Sequence, residues 1–249
     1  FLRRAFVETP RAAVQVSARP AGAAPDPAEL AAASLIFVGS GLDSTTASLL
    51  RAQAESGRTI VQVLRAADAA TGASLGVLAG VSPVTLGESR AGSYAMLGEI
   101  DFRHPLFAPF ADPRFSDFSK IRFWRHRRVD ASGLPAARVV ARFDTGDPAV
   151  LEIPAGRGRV IVFTSGWQPE DSQLAVSSKF APLMWSLLEG AGGVGEFITQ
   201  YAVGDPVVLP SEAAGALRRR AGGVGSTPAA RSAATKSRGA GSSATWRLS

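Results

Sequence analysis

Residues 34–64, SLIFVGSGLDSTTASLLRAQAESGRTIVQVL, decide the fold. Ser34–Val38 is a short, almost unbroken apolar run, the pattern of a strand covered on both faces. It ends at Gly39-Ser40-Gly41. Asp43 or Ser44 then offers a side-chain oxygen to the orphan amides of a first helical turn. Ala47, Leu50 and Ala54 recur at helical spacing, and Gly57 supplies a left-handed stop. Thr59–Leu64 is a second strand-like run. Strand, helix, glycine and strand make a βαβ unit, whose crossover is right-handed in nearly every case. The chain is therefore expected to be an α/β protein with a mostly parallel sheet between two helical layers.

Working outward, residues 158–190, GRVIVFTSGWQPEDSQLAVSSKFAPLMWSLLEG, read as a buried strand, a turn at Ser165-Gly166, a polar loop and an amphipathic helix. The helix carries Phe180, Leu183, Met184, Leu187 and Leu188 on one stripe. Ligands of α/β sheets sit just past the carboxyl ends of the strands. The candidate binding rim is accordingly Ser165, Trp167, Gln168, Glu170, Asp171 and Ser172. Glu170 has the chemistry of a base, but no histidine or nucleophile stands with it. Asp171 or Ser172 reads better as the cap of the following helix. Gly39-Ser40-Gly41 lacks both the third glycine of a dinucleotide fingerprint and the GK[ST] of a phosphate loop, so it reads as a structural turn.

Ile121–Val129, Arg138–Phe143 and Ala149–Ile153, the last two joined across Asp144–Asp147, are expected to extend the sheet in antiparallel fashion. Ala13–Ala18 and Tyr94–Phe102 also read as strands. Ala69–Ala79 reads as a helix broken by Gly72 and Gly76, and Phe1–Glu8 as the end of a helix. Gln200–Leu209 resembles a strand leading out of the domain. Between His104 and Ser119 lie three prolines and four phenylalanines, too apolar for a solvated loop. We expect an ordered loop, a candidate interaction surface, formed by His104, Phe107, Phe110, Phe115 and Phe118 with the nearby Trp124.

Composition narrows the function. The chain has 249 residues, 27 basic and 21 acidic groups, no cysteine and two histidines. Residues 211–249 hold seven of the basic groups and one of the acidic ones, so the remainder balances at 20 and 20. The folded part is not basic, which argues against nucleic acid. The basic run Lys120–Arg128 is expected to pair with Asp112, Asp117 and Asp130. The tail 211–249 is too poor in large apolar residues to offset its ordering entropy and is expected to be disordered. Without cysteine there is no disulfide, thiolate metal site or cysteine nucleophile, and two histidines make a His-rich zinc site improbable. No metal or cofactor is expected.

The run MLGEIDFRHPLFAPFADPRFSDFSKIRFWRHRR, with GRVIVFTSGWQPEDSQLAVSSKFAPLMWSLLE and QYAVGDPV, resembles the C-terminal half of bacterial BatA-like, aerotolerance-type membrane proteins over about residues 1–210. The resemblance implies a class I glutamine amidotransferase-like, flavodoxin-like domain spanning 1–200 and truncated at its N-terminus. It is followed by a strand or linker at 201–210. It further implies a missing membrane anchor and von Willebrand factor A-like domain, and a periplasmic location. Partners would be von Willebrand factor A proteins and a MoxR-type ATPase. Active relatives of that fold use a cysteine nucleophile and a His-Pro-Glu element. Here Gln168-Pro169-Glu170 stands where that element falls, and a glutamine amide cannot accept the proton. The expectation is a non-catalytic scaffold of an envelope or stress-tolerance complex. The alternatives are a hydrolase with a relocated site at Glu170 or Ser165, and a small-molecule sensor at the same rim.

Overall fold

The computed structural model describes residues 1–6, 14–20, 22–39, 41–192, 206–209 and 244–247. Its first unit, Phe1–Gly195, holds the elements α1 (Leu2–Ala5), α2 (Pro27–Ala32), β1 (Leu35–Val38), α3 (Ser44–Glu55), β2 (Thr59–Val63), α4 (Ala69–Ala79), β3 (Leu86–Ala95), β4 (Leu97–Ile100), β5 (Phe123–Val129), β6 (Arg138–Phe143), β7 (Pro148–Ala155), β8 (Gly158–Phe163) and α5 (Phe180–Gly190). The second unit, Glu196–Ser249, contains β9 (Pro206–Leu209) paired antiparallel with β10 (Ala244–Arg247). Those last four residues lie within the stretch expected to be disordered. The rest of that tail, and residues 7–13, fall outside the described residues.

The main sheet has the order β1-β2-β8-β7-β6-β4. β1, β2 and β8 are parallel, and β7, β6 and β4 follow by antiparallel pairing. Four of the six strands (β1, β2, β8, β6) therefore run in one direction. Alternation along the strands sends Val61, Val63, Ile161 and Phe163 to one face, where they meet α5, α1 and the Phe-rich loop. Ile60, Leu64, Val160 and Val162 go to the other, against Leu50 and Ala54 of α3 and Leu75 and Leu78 of α4. The α/β class, the three layers and the antiparallel extension are as expected.

Local chemistry explains the helices. Asp43 caps α3 by accepting the Thr46 N–H at 2.9 Å, and Asp68 caps α4 through Thr71 N–H at 2.7 Å. These amides hold both carboxyls below the usual aspartate range. Ala47, Leu50 and Ala54 are the buried stripe of α3, and Gly57 follows it at φ 118°. Gly72 and Gly76 do not break α4. They are where the returning chain touches it: a Cβ on Gly76 would lie 2.6 Å from Ser82 O and 2.9 Å from Pro83 Cα. Close packing replaces the helix propensity that glycine lacks.

Three strand expectations need correction. Val14–Ala18 forms no ladder; Val14 and Val16 pack on the core as a loop. Tyr94–Phe102 is not one strand, because the chain changes sheets between Ala95 and Leu97. β5 does not extend the main sheet. It pairs with β3 as a separate two-stranded ribbon, Leu86 opposite Val129 through Arg90 opposite Arg125.

Candidate functional site

The carboxyl end of β8, where a ligand is expected, is crossed by β5. Arg127 N–H donates to Thr164 O at 2.7 Å, and the amides of Trp124 and Arg125 both donate to Asp171 O, at 2.8 and 3.2 Å. Gln173 N–H closes onto Arg122 O at 2.9 Å, and Phe123 bridges to Ser172. The loop Ser165–Gln173 is thus stitched to β5 along its length. Ser165 donates its hydroxyl proton to Arg125 O at 2.7 Å, and Ser172 donates its own to Gly166 O at 2.7 Å. Neither serine has a base beside it.

The side chain of Arg127 fills the seat itself. Its Nη1 donates to Leu64 O at 3.2 Å and to the Asp171 carboxylate; its Nη2 donates to Arg65 O and, at 3.2 Å, to Glu88. Nε lies 3.2 Å from the second Glu88 oxygen but at an angle too poor for a hydrogen bond. Arg127 thereby ties the carboxyl end of β2 to the loop after β8. Its side chain is 3% exposed and that of Asp171 is 1% exposed. Gln168 Nε2 donates to the same Asp171 oxygen at 2.9 Å. The amide at the expected histidine position is therefore engaged in holding a carboxylate.

Asp171 and Ser172 do not cap α5. That helix begins at Phe180 with Lys179 at its N-cap and no side-chain cap, eight residues beyond Ser172. Trp167 is core: its ring meets Phe37, Phe163 and Phe180 edge-on at 5.8, 5.4 and 5.2 Å. Glu170 stays exposed, without an ion-pair partner among the described residues. Beneath the loop, a cavity of about 20 Å³ is lined by Phe107, Phe118, Phe123, Phe143, Phe163 and Ser165 among others. That volume admits roughly one water, not an organic ligand.

The Phe-rich loop is ordered. Phe107, Phe110 and Phe118 are buried, their centroids 5.2 to 6.5 Å apart. Only Phe115 of that set reaches solvent, 51% exposed. Lys179 clasps the loop: its ammonium stands 5.4 to 6.0 Å from the rings of Phe110, Phe115 and Phe118 and donates to Phe115 O. Trp124 is half-buried in the ribbon. His104 is structural, its Nδ1 accepting Leu106 N–H at 3.2 Å and its Nε2 facing Glu152. No group of three or more His, Asp or Glu that could hold a metal occurs among the described residues.

The residues missed from sequence are Arg127 and Glu88. Asp112, Asp117 and Asp130, the expected partners of the basic run, instead accept hydrogen bonds from amides two residues on, at Arg114, Ser119 and Ser132. Such local turns outcompete distant ion pairs because they close almost no loop. The strand carried only a partial signal for Arg127: it shares alternation with the buried Phe123 and Val129, but so does Arg125, which stays half-buried.

Compared with known proteins, the chain matches no family model and no curated protein. Among solved structures it is similar to the cytoplasmic proteins STM3548 and STM1381 of Salmonella typhimurium. The first is 17% identical, covering 68% of this chain and 76% of that one at a TM-score of 0.52. The second is 16% identical, covering 65% and 73% at 0.51. At these identities the likeness concerns the fold alone. A β-galactosidase from Rahnella sp. R3 covers 70% of this chain and 25% of that one at 11% identity, with a TM-score of 0.45, too low to argue from. The expectation of a membrane-anchored, periplasmic protein is corrected. The two neighbours are described as cytoplasmic proteins, and no helix among the described residues is long and apolar enough to cross a membrane.

Proposed function

We propose that this chain is a non-catalytic interaction domain on a flavodoxin-like, class I glutamine amidotransferase-like frame whose catalytic seat is closed. The observation carrying this reading is Arg127, which occupies the carboxyl end of β2 and β8 and binds Asp171, the carboxylate that Gln168 also holds. A reacting group needs a free carboxylate or imidazole within hydrogen-bond reach of a nucleophile. The buried acid of the loop is neutralised, and the serine hydroxyls point into backbone carbonyls.

Support for interaction comes from the start of α5. Phe115, whose carbonyl Lys179 holds just before that helix, is 51% exposed, and Val176, four residues ahead of it, is 69% exposed, two large apolar side chains that a partner would cover. The motifs that resemble BatA-like proteins supply the candidate partners, von Willebrand factor A proteins and a MoxR-type ATPase. The test has two parts. The purified chain incubated with glutamine and with simple esters is expected to give no turnover above buffer; turnover that Glu170→Gln or Ser165→Ala abolishes would overturn the reading. Co-elution with a purified candidate partner, lost on Phe115→Ser/Val176→Ser with an unchanged melting curve, is the positive result.

A further inference from the structure

The two edges of the main sheet are treated differently. At one edge, β4 shifts register between Leu97 and Glu99, and Glu99 stands 81% exposed opposite Arg142. A bulge and a charge are the usual protections of a sheet edge against pairing with another chain. At the other edge, β1 reads Leu35-Ile36-Phe37-Val38, with no charge, no proline and an unshifted four-residue register to β2. Among the described residues, no bulge, charge or proline protects it.

β1 uses only half of its backbone groups. Thr59 N–H donates to Ser34 O, and a parallel ladder bonds alternate residues, so Ser34, Ile36 and Val38 face β2. The amides and carbonyls of Leu35 and Phe37 point outward. Among the described residues no backbone group meets them. Leu35, Ile36 and Phe37 are half-buried, in contrast to the fully buried β2.

We propose that the outer edge of β1 pairs antiparallel with β1 of a second copy of this chain. The geometry is self-complementary. With the two-fold axis at Ile36, Leu35 of one copy faces Phe37 of the other, and each such pair exchanges both N–H···O bonds, four in all. Ile36 meets Ile36 across the axis in the closer, non-hydrogen-bonded position. Alternation is preserved, so Leu35 and Phe37 continue one face of the sheet and Ile36 and Val38 the other. A second copy fits better than a foreign strand because the edge offers no charged or polar side chain to select one. Pairing satisfies the open groups and continues the apolar rows without placing like charges together. The proposal is independent of whether the domain is catalytic.

Sedimentation of the full chain over a concentration series tests it. A monomer–dimer equilibrium is expected. Ile36→Lys and Ile36→Glu each set like charges against one another on the axis and should weaken the dimer about tenfold or more. Mixing the two variants should restore it, which no unspecific loss of folding would do. Leu35→Pro removes an outward N–H without touching the β1–β2 ladder and should also give monomer. A chain that stays monomeric throughout overturns the proposal, as does a dimer that Ile36→Lys and Leu35→Pro leave unchanged. A monomer whose Leu35 and Phe37 amides resist hydrogen exchange would overturn it as well, by showing that something else covers the edge.

Discussion

At the carboxyl end of β8 the Asp171 side chain is 1% exposed and answered by Arg127; near the amino end Glu152 keeps 22% of its side chain in solvent and is held by His104 and Arg159. The first cluster is closed. Asp171 receives Arg127 and Gln168, and the guanidinium reaches two carbonyls and Glu88 besides. The second is open on one side, and its histidine orientation is fixed locally by Leu106 N–H. Full burial leaves a charge no recourse to water, so every partner must come from the protein. Satisfying Asp171 in that way is what fills the seat a ligand would use. At Glu152 solvent does part of the work, and the protein keeps the pair without sealing the surface.

This contrast makes Arg127 the most sensitive charged residue of the domain. Arg127→Leu leaves Asp171 buried without its counter-charge and is expected to cost about 3–5 kcal/mol, read from urea denaturation. Arg127→Leu with Asp171→Leu should recover most of that loss, because the desolvation cost is removed together with the attraction. A single variant that loses under about 1 kcal/mol would mean that water reaches Asp171, and the contrast between the two ends would collapse.

Gly166 sharpens the comparison at the next level. A Cβ there would lie 2.6 Å from Gln168 Oε1 and closer still to Asp171. Gly166→Ala should therefore push Asp171 off Arg127 and cost about 1–3 kcal/mol, the range of an overpacked core site. The effect should be smaller in an Arg127→Leu/Asp171→Leu background, where the cluster no longer needs its alignment. Equal losses in both backgrounds would detach Gly166 from the ion pair.

How far the sequence was legible follows the range of the interactions. The βαβ unit of Ser34–Leu64 announced itself through local periodicity, a capping Asp43 and the Gly57 stop, all within one stretch of chain. The Phe-rich loop was legible because Phe107, Phe110 and Phe118 are too apolar to be left in water. What escaped depends on long separations. Glu88 reaches Arg127 across 39 residues and Asp171 reaches it across 44, and no local pattern encodes those pairs. The place of β5 in the ribbon was not legible because its sequence suits any antiparallel neighbour; only its pairing with β3 shows where it lies. At the rim, the hydrogen bond from Gln168 to Asp171 spans only three residues, whereas the Arg127 that shares that carboxylate comes from another sheet.

Glu152 offers the smallest and most discriminating test. The hydrogen bond from His104 holds its carboxyl below the usual glutamate range, against the opposing effect of partial burial and with help from Arg159 and Arg138. A carboxyl depressed in the folded state stabilises the fold above its unfolded pKa, and that contribution is lost as pH falls through the folded value. Wild type should therefore lose this increment as pH is lowered below the ordinary glutamate range, whereas Glu152→Gln should lack it at every pH. At neutral pH the variant should be less stable by under about 1 kcal/mol, since a partly exposed pair is screened by solvent and by salt. The two melting curves should converge in acid. Parallel curves across the whole range would show that Glu152 is held by packing rather than charge, leaving Asp171 as the only acid of the two whose pairing shapes the fold.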